Sequence, residues 1–325
     1  MEPDPDLFVA HLCDIFDSVK GVLRDDGTMW VNLGDTYAGG GGITGVPEDW
    51  ESLSTKNRDK YIKNAPSRDA KKIGAKKKDL LLVPFRFATE MRDRGWYLRQ
   101  VIIWSKPNPA RESVVDRPTT QHEYIFLFSK SATYHYDQEA VRMESGANRG
   151  SVWDLTVTNF KGQHFATFPV ELVERCIKAG TSEHGVCDKC GAPYERVIEK
   201  GEPDKEWQKK SGGNEDGEYF GEAVKDYESG GAENPSDVKR RILAGMVARK
   251  TVGWKATCNC FGAYPVPARV LDPFSGAGTT PMVADRLGRN GIGVELKGDY
   301  ANMSDNRTFD DNPLFHQPHL KKDLS

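Results

Sequence analysis

Residues 270–280 read Val270-Leu271-Asp272-Pro273-Phe274-Ser275-Gly276-Ala277-Gly278-Thr279-Thr280, and Gly291-Ile292-Gly293-Val294-Glu295 follows soon after. Ala268-Arg269-Val270-Leu271, bounded by turn formers, predicts a strand. Thr279 to Leu287 has helical spacing, and Gly291 to Glu295 reads as a second strand. A strand that runs into a turn poor in side chains lets a ligand touch the backbone, and the next helix presents free amides. An acidic residue ending the following strand can accept hydrogen bonds from two ribose hydroxyls. The pattern therefore predicts a site for a nucleoside-bearing cofactor. It is neither the dinucleotide GxGxxG nor a phosphate-binding GxxxxGK[ST], and the missing lysine argues against a nucleoside triphosphate.

Upstream, the same alternation of helices and strands recurs. Asp4 to Leu23 places Leu7, Phe8, Leu12, Ile15, Phe16, Val19 and Leu23 on one helical face, with Asp4 as the cap and Pro5 in the first turn. Thr28 to Leu33 predicts a buried strand ending at Gly34-Asp35. Leu80 to Arg94 and Pro169 to Ala179 predict helices, and Leu98 to Trp104 and Glu123 to Phe128 predict strands. Gly39 to Lys78 is glycine-rich, then charged, and reads as a mobile loop. Its closing lysines, from Lys71 to Lys78, suit either contact with phosphates or a solvated surface. The fold class is α/β.

The 325 residues exceed what one compact core needs, so one large domain with an insertion is expected. The net charge of −3 means that any nucleic-acid contact must come from local basic clusters. No apolar stretch approaches the roughly 20 residues of a membrane span. Met1 to Asp6 is acidic rather than signal-like, which predicts a cytoplasmic protein. Six cysteines are too few for a disulfide scaffold, and four form two close pairs, Cys187/Cys190 and Cys258/Cys260. Four thiolates in this spacing suit a tetrahedral structural Zn²⁺, the alternative being reduced, unligated thiols. Cys13 and Cys176 fall on apolar helix faces as core residues. Between the cysteine pairs the chain is rich in Gly, Glu, Asp and Lys, which predicts an insertion over 181–262 that is partly disordered.

Taken together and in this order, the motifs resemble the β-class DNA amino-methyltransferases of the cytosine-N4 or adenine-N6 type, in which the catalytic half precedes the cofactor half. The resemblance implies a Rossmann-like methyltransferase sheet carrying a small zinc-ribbon insertion, with S-adenosylmethionine as cofactor. It assigns Asp272, Phe274, Ser275, Gly276, Gly278 and Thr279 to the cofactor loop and Glu295 to the ribose. His164-Phe165-Ala166-Thr167-Phe168-Pro169 matches the motif that closes over the methionine end, giving Phe165, Thr167 and Phe168. Trp104-Ser105-Lys106-Pro107-Asn108-Pro109, Asp116-Arg117-Pro118 and His122-Glu123-Tyr124 match the DNA-facing side, giving Lys106, Asn108 and Arg117. The implied substrate is double-stranded DNA, with a restriction endonuclease as a further partner and a prokaryotic or phage-encoded, cytoplasmic origin.

One motif is absent. An exocyclic amine is a poor nucleophile because its lone pair is delocalised into the base, so the enzyme must hold it with acceptors that favour a pyramidal nitrogen. The family does this with a Ser/Asp/Asn-Pro-Pro-aromatic motif, whose aromatic stacks on the flipped base. No two prolines are adjacent in this chain. In the family the motif precedes the helix that here occupies Asp4 to Leu23, so the chain reads as N-terminally truncated. Asn32 and Asp35, beside the missing strand, remain as supporting candidates. The implied organisation is 1–180 for the catalytic, DNA-facing half, 181–262 for the insertion, 263–307 for the cofactor half and 308–325 for a loose tail. In the family sheet the missing strand lies between the cofactor-loop strand and the strand at Met29 to Leu33, so both neighbours are expected to have an unpaired edge.

Overall fold

The computed structural model describes residues 4–39, 75–109, 112–143, 146–157, 168–203, 205–210, 238–239 and 247–312. The chain forms two compact units, the first from residues 1–135 and 150–172, the second from residues 136–149 and 173–325.

In the first unit, helix α1 (Pro5–Val22) starts where Asp4 accepts a hydrogen bond from the Asp6 amide at 2.8 Å. It buries Val9, Leu12, Cys13 and Phe16, the i, i+3, i+4, i+7 stripe. That stripe packs on α2 (Val83–Asp93), which contributes Val83, Pro84, Phe87, Ala88 and Met91. Arg94 ties the two helices together, reaching Asp14 at 2.6 Å, Asp17 at 2.8 Å and Glu90 at 2.8 Å. Strands β1 (Thr28–Leu33), β2 (Tyr97–Ser105), β3 (His122–Ser129) and β4 (Val152–Asp154) form a sheet in the order β1-β3-β2-β4. The central strand β3 is antiparallel to both neighbours, and β4 joins β2 in parallel. Being covered on both faces, β3 reads Ile125-Phe126-Leu127-Phe128, an unbroken buried run. Phe87 meets Phe16, Phe126 and Phe128 in tilted or edge contacts with centroids 5.6 to 6.4 Å apart. Among the described residues β1 is paired on one side only.

Helix α3 (Val170–Gly180) carries the chain across the unit boundary. In the second unit β5 (Val186–Cys187) pairs with β8 (Pro265–Val266) at the base of a long antiparallel hairpin, β6 (Tyr194–Pro203) with β7 (Val247–Ala256). Helix α4 (Lys205–Lys210) follows β6. No apolar alternation in the sequence marks this hairpin. Its face toward the protein is fixed by Arg196, which reaches Asp137 at 2.7 Å, pairs with Glu183, and lies over the Trp254 ring at 4.5 Å. Arg249 adds a 2.7 Å pair with Glu139. The rest of the expected disordered stretch, residues 204, 211–237 and 240–246, lies outside the described residues.

Strand β9 (Arg269–Asp272), helix α5 (Thr279–Arg286) and parallel strand β10 (Asn290–Gly293) reproduce the expected strand, turn, helix and strand. Parallel strands are ordinarily covered on both faces. Here Leu271, Ile292 and Val294 are exposed, and among the described residues β9 pairs only with β10. Helix α6 (Gly298–Asp311) then runs past Arg307, where sequence reading began a loose tail. Polar contacts hold it to α5, with Arg286 bonded to Asp311 at 2.5 Å and Asn312 to Asp285 at 3.2 Å.

Candidate functional site

The candidate cofactor loop is set by the backbone before any side chain contributes. Gly276 and Gly278 have φ of 51° and 76°, the left-handed region where a Cβ is strained. Gly278 donates to the Ser275 carbonyl at 2.8 Å, closing the turn, and Ser275 donates to the Val294 carbonyl at 3.0 Å, fastening it to β10. Asp272 organises the strand end, accepting from the Phe274 amide at 2.9 Å and from the Thr280 hydroxyl at 2.6 Å. Glu295, just past β10, accepts from the Gly276 amide at 2.9 Å through one carboxylate oxygen and from the Lys297 amide at 2.8 Å through the other.

These residues fit an S-adenosyl ligand on two observations. The Ser275 hydroxyl is buried without a hydrogen-bond partner among the described residues, a cost that a polar ligand group would remove. A Cβ on Gly293 would stand 2.4 Å from that hydroxyl, so the space beside it depends on glycine. Phe274 is half exposed at the loop, and Thr279 is buried at the start of α5. The structure thus brings together Asp272, Phe274, Ser275, Gly276, Gly278, Thr279 and Glu295. Phe165 and Thr167, with His164, lie outside the described residues. Phe168 is half-buried in the first unit, just ahead of α3.

The four paired cysteines converge, with all Sγ atoms within 4.8 Å of one another. A tetrahedral zinc with bonds of about 2.3 Å would need them about 3.8 Å apart, a small contraction. Each pair is followed by a turn with positive φ, at Gly191 (72°) and Gly262 (63°). Amides of Cys190 and Lys189 aimed at the Cys187 sulfur hold its thiol down to about 7, while the Cys190 and Cys258 thiols push Cys260 up to about 12. Four converging sulfurs are an arrangement that a divalent cation completes by displacing the thiol protons. Cys13 and Cys176 are buried, as expected for core residues, and burial pushes their thiols up to about 11 and about 12.

The first-unit candidates have structural partners. Asn32 donates to the Tyr124 carbonyl at 3.1 Å, across the β1–β3 pair. Asp35 accepts from the Val83 amide at 3.1 Å and the Thr36 amide at 2.8 Å, so it caps α2 from a distance in sequence. Its other oxygen is buried with no partner among the described residues. Lys106 pairs with Glu123 and lies over the Trp104 ring at 4.4 Å. Asn108 clasps Val157 through amide and carbonyl at 3.0 and 2.8 Å. Arg117 stacks on Tyr37 at 4.0 Å and bonds Glu112 at 2.8 Å. Of the lysine run, Lys78 pairs with Asp116 at 2.5 Å, and Lys71 and Lys72 lie outside the described residues.

The N6/N4 DNA methylase family model matches residues 3–187 and 268–306, leaving unmatched nearly all of the cysteine-flanked hairpin. Type II methyltransferase M.Cfr9I of Citrobacter freundii is 43% identical over 178 residues, 54% of this chain and 56% of that protein. The chain thus spans little more than half of that relative's length. Type II methyltransferase M.SmaI of Serratia marcescens is 30% identical over 306 residues, 92% of this chain and 73% of that protein. Among solved structures, the cytosine-N4-specific PvuII DNA methyltransferase aligns over 94% of this chain and 73% of its own, at 17% identity and a TM-score of 0.48. With both halves of the sequence matched, on either side of the hairpin, the chain belongs to the N6/N4 DNA methylase family.

Proposed function

We propose that the protein is a site-specific DNA methyltransferase, transferring a methyl group from S-adenosylmethionine to the exocyclic amine of cytosine (N4) or adenine (N6) in duplex DNA. The observation that carries this reading is the loop of Gly276 to Thr279 locked onto Glu295 beside the unpartnered Ser275 hydroxyl, in a chain of this family. S-adenosylmethionine, when bound, supplies an electrophilic methyl on a sulfonium. Glu295 has lone pairs beyond the two amides it already serves, and these suit ribose hydroxyls. On the DNA side, Lys106, Asn108 and Arg117 are read as the groups that face the duplex. Binding of S-adenosylhomocysteine to the chain, measured by calorimetry, tests the cofactor half of this reading. Absence of binding would remove its basis.

A second reading has specific support: the chain binds cofactor and DNA but needs a further segment or polypeptide to hold the amine. The 325 residues contain no Pro-Pro pair, and Asn32 and Asp35 are engaged in holding β1 to β3 and capping α2. Strands β1 and β9 each have one partner among the described residues, and the apolar side chains of Leu271, Ile292 and Val294 are exposed. Transfer of tritiated methyl to mixed-sequence duplex DNA separates the readings. Transfer by the 325-residue chain alone supports the first reading, whereas no transfer by it, with robust transfer by a version extended with a strand and a Ser/Asp/Asn-Pro-Pro-aromatic motif, supports the second. Equal activity of the two would move the amine-holding role to Asn32 or Asp35.

The cysteine cluster we assign to one structural Zn²⁺ at the root of the β6–β7 hairpin. No helix among the described residues is long and apolar enough to cross a membrane, and a cytoplasmic location alongside a restriction endonuclease is the cellular setting that suits this activity.

A further inference from the structure

The family match stops at residue 306, yet the helix carrying that residue continues to Asp311. Beyond the match its contacts turn toward the cofactor loop. Arg307 Nη1 donates to the Ala277 carbonyl at 2.6 Å and lies 3.3 Å from the Thr279 hydroxyl, so it grips the chain on both sides of Gly278. Ser304, one turn earlier, lies so near that a Cβ on Gly278 would stand 1.9 Å from its Oγ. Thr308 is buried and donates back to the Ser304 carbonyl at 2.9 Å. The loop is therefore braced from behind by α6.

Two costs attend Arg307. It places a cation beside the N-terminus of α5, where the helix dipole is already positive. It is also partly withdrawn from water, and burial lowers its pKa from the ordinary arginine value. Neither cost favours α5 itself; Asp311, one turn on, offsets part of them, and the guanidinium's hydrogen bonds go to the loop.

We propose that Arg307 is a positioning residue for the cofactor loop, acting from α6 through the Ala277 carbonyl and the Thr279 hydroxyl to fix the turn at Gly276–Gly278. The proposal rests on the reading of that loop as the S-adenosylmethionine site, and it makes the last turn of α6 part of the binding apparatus.

The test uses the full 325-residue chain with S-adenosylhomocysteine as the probe. Amide hydrogen exchange across Ser275 to Thr280 is measured without ligand, and affinity by calorimetry. Arg307→Met keeps the side-chain length and removes the donors, whereas Arg307→Lys keeps the charge and a donor. In Arg307→Met, exchange in the loop should quicken and affinity fall by about tenfold or more, the scale of a hydrogen bond to a charged group. Protection of the β6–β7 hairpin should be unchanged, and Arg307→Lys should recover part of both losses. Parent-like loop exchange and affinity in Arg307→Met would overturn the proposal. Should that variant fail to fold, Arg307→Gln, shorter and uncharged, decides in its place: faster exchange confined to the loop supports the brace, and parent-like loop exchange refutes it. If the parent does not bind the probe while Arg307→Met still loosens the loop, the cofactor reading falls and the brace stands.

Discussion

Glu295→Ala removes a carboxylate that serves the Gly276 amide at 2.9 Å and the Lys297 amide at 2.8 Å, and that is assigned to the ribose as well. The two roles separate in their readouts. A hydrogen bond to a charged group contributes about 1.5–3 kcal/mol. Glu295 is half-buried, which favours the lower part of that range. A loss of about 2 kcal/mol corresponds to roughly 30-fold weaker binding. Losing the acceptor also leaves the buried Gly276 amide unsatisfied, at about 1 kcal/mol of stability. Glu295→Gln keeps one acceptor oxygen but turns an NH₂ toward one of the two amides, so it should fall between parent and alanine in both measures. Calorimetric titration of S-adenosylhomocysteine into each full chain, with urea unfolding in parallel, gives the two numbers. Parent affinity in Glu295→Ala would refute the reasoning and place the nucleoside elsewhere. An affinity loss no larger than the drop in folded fraction would reduce Glu295 to loop architecture.

Cys187→Ser or Cys258→Ser should release the single Zn²⁺ from the purified chain, since a closed tetrahedral site opens on losing one thiolate. Metal analysis near zero in the parent, with all four thiols freely titratable, would reject the site. Asp35→Ala should cost about 1 kcal/mol by uncapping α2. Unchanged urea stability would free Asp35 for a chemical role. The Arg286 guanidinium beside Asp311 holds that carboxyl below its ordinary value. A depressed folded pKa means that the pair's stabilisation is present above the unfolded pKa near 4 and is lost as pH falls through the lower folded value. Asp311→Asn should therefore cost under about 1 kcal/mol at pH 7, given the partial exposure of the pair, and flatten the acid side of the stability curve. An equal loss at pH 7 and at pH 2 would contradict this.

What was legible in the sequence is what a core writes into it. The apolar face expected of α1, the buried strand at β1 and the unbroken run of β3 each reflect burial, and these elements lie within a few residues of their expected bounds; on α1 the structure buries Leu12 and Phe16 together with Val9 and Cys13 and leaves Leu7 and Ile15 exposed. The β6–β7 hairpin writes no such record. Its strands carry charge on both faces, with Glu195 opposite Lys255 and Glu199 opposite Lys250 on one and Arg196 and Lys200 on the other, and its fixed face is held by Arg196 and Trp254 rather than by aliphatic packing. Strand β4 is three residues long, too short for a period to show.

The candidate site divides along the same line. The glycine turn of the candidate loop could be read directly, because a positive φ and a missing Cβ are properties of a single residue type. Asp35 looked chemical because a carboxylate after a strand is ambiguous until the helix it caps, far along the sequence, is brought to it. Arg307 had no local signal at all: α6 lacks an apolar stripe, and the Ala277 carbonyl it grips is a backbone atom that any residue would provide. The structure supplies what the sequence lacks, the crowding of Ser304 against Gly278, which requires glycine there for a reason additional to the turn. A glycine that is constrained twice, by its own φ and by a neighbouring helix, marks where the loop is braced. Substituting Gly278 with alanine should accordingly do more harm than strain alone predicts, since the added carbon would push α6, and Arg307 with it, away from the loop.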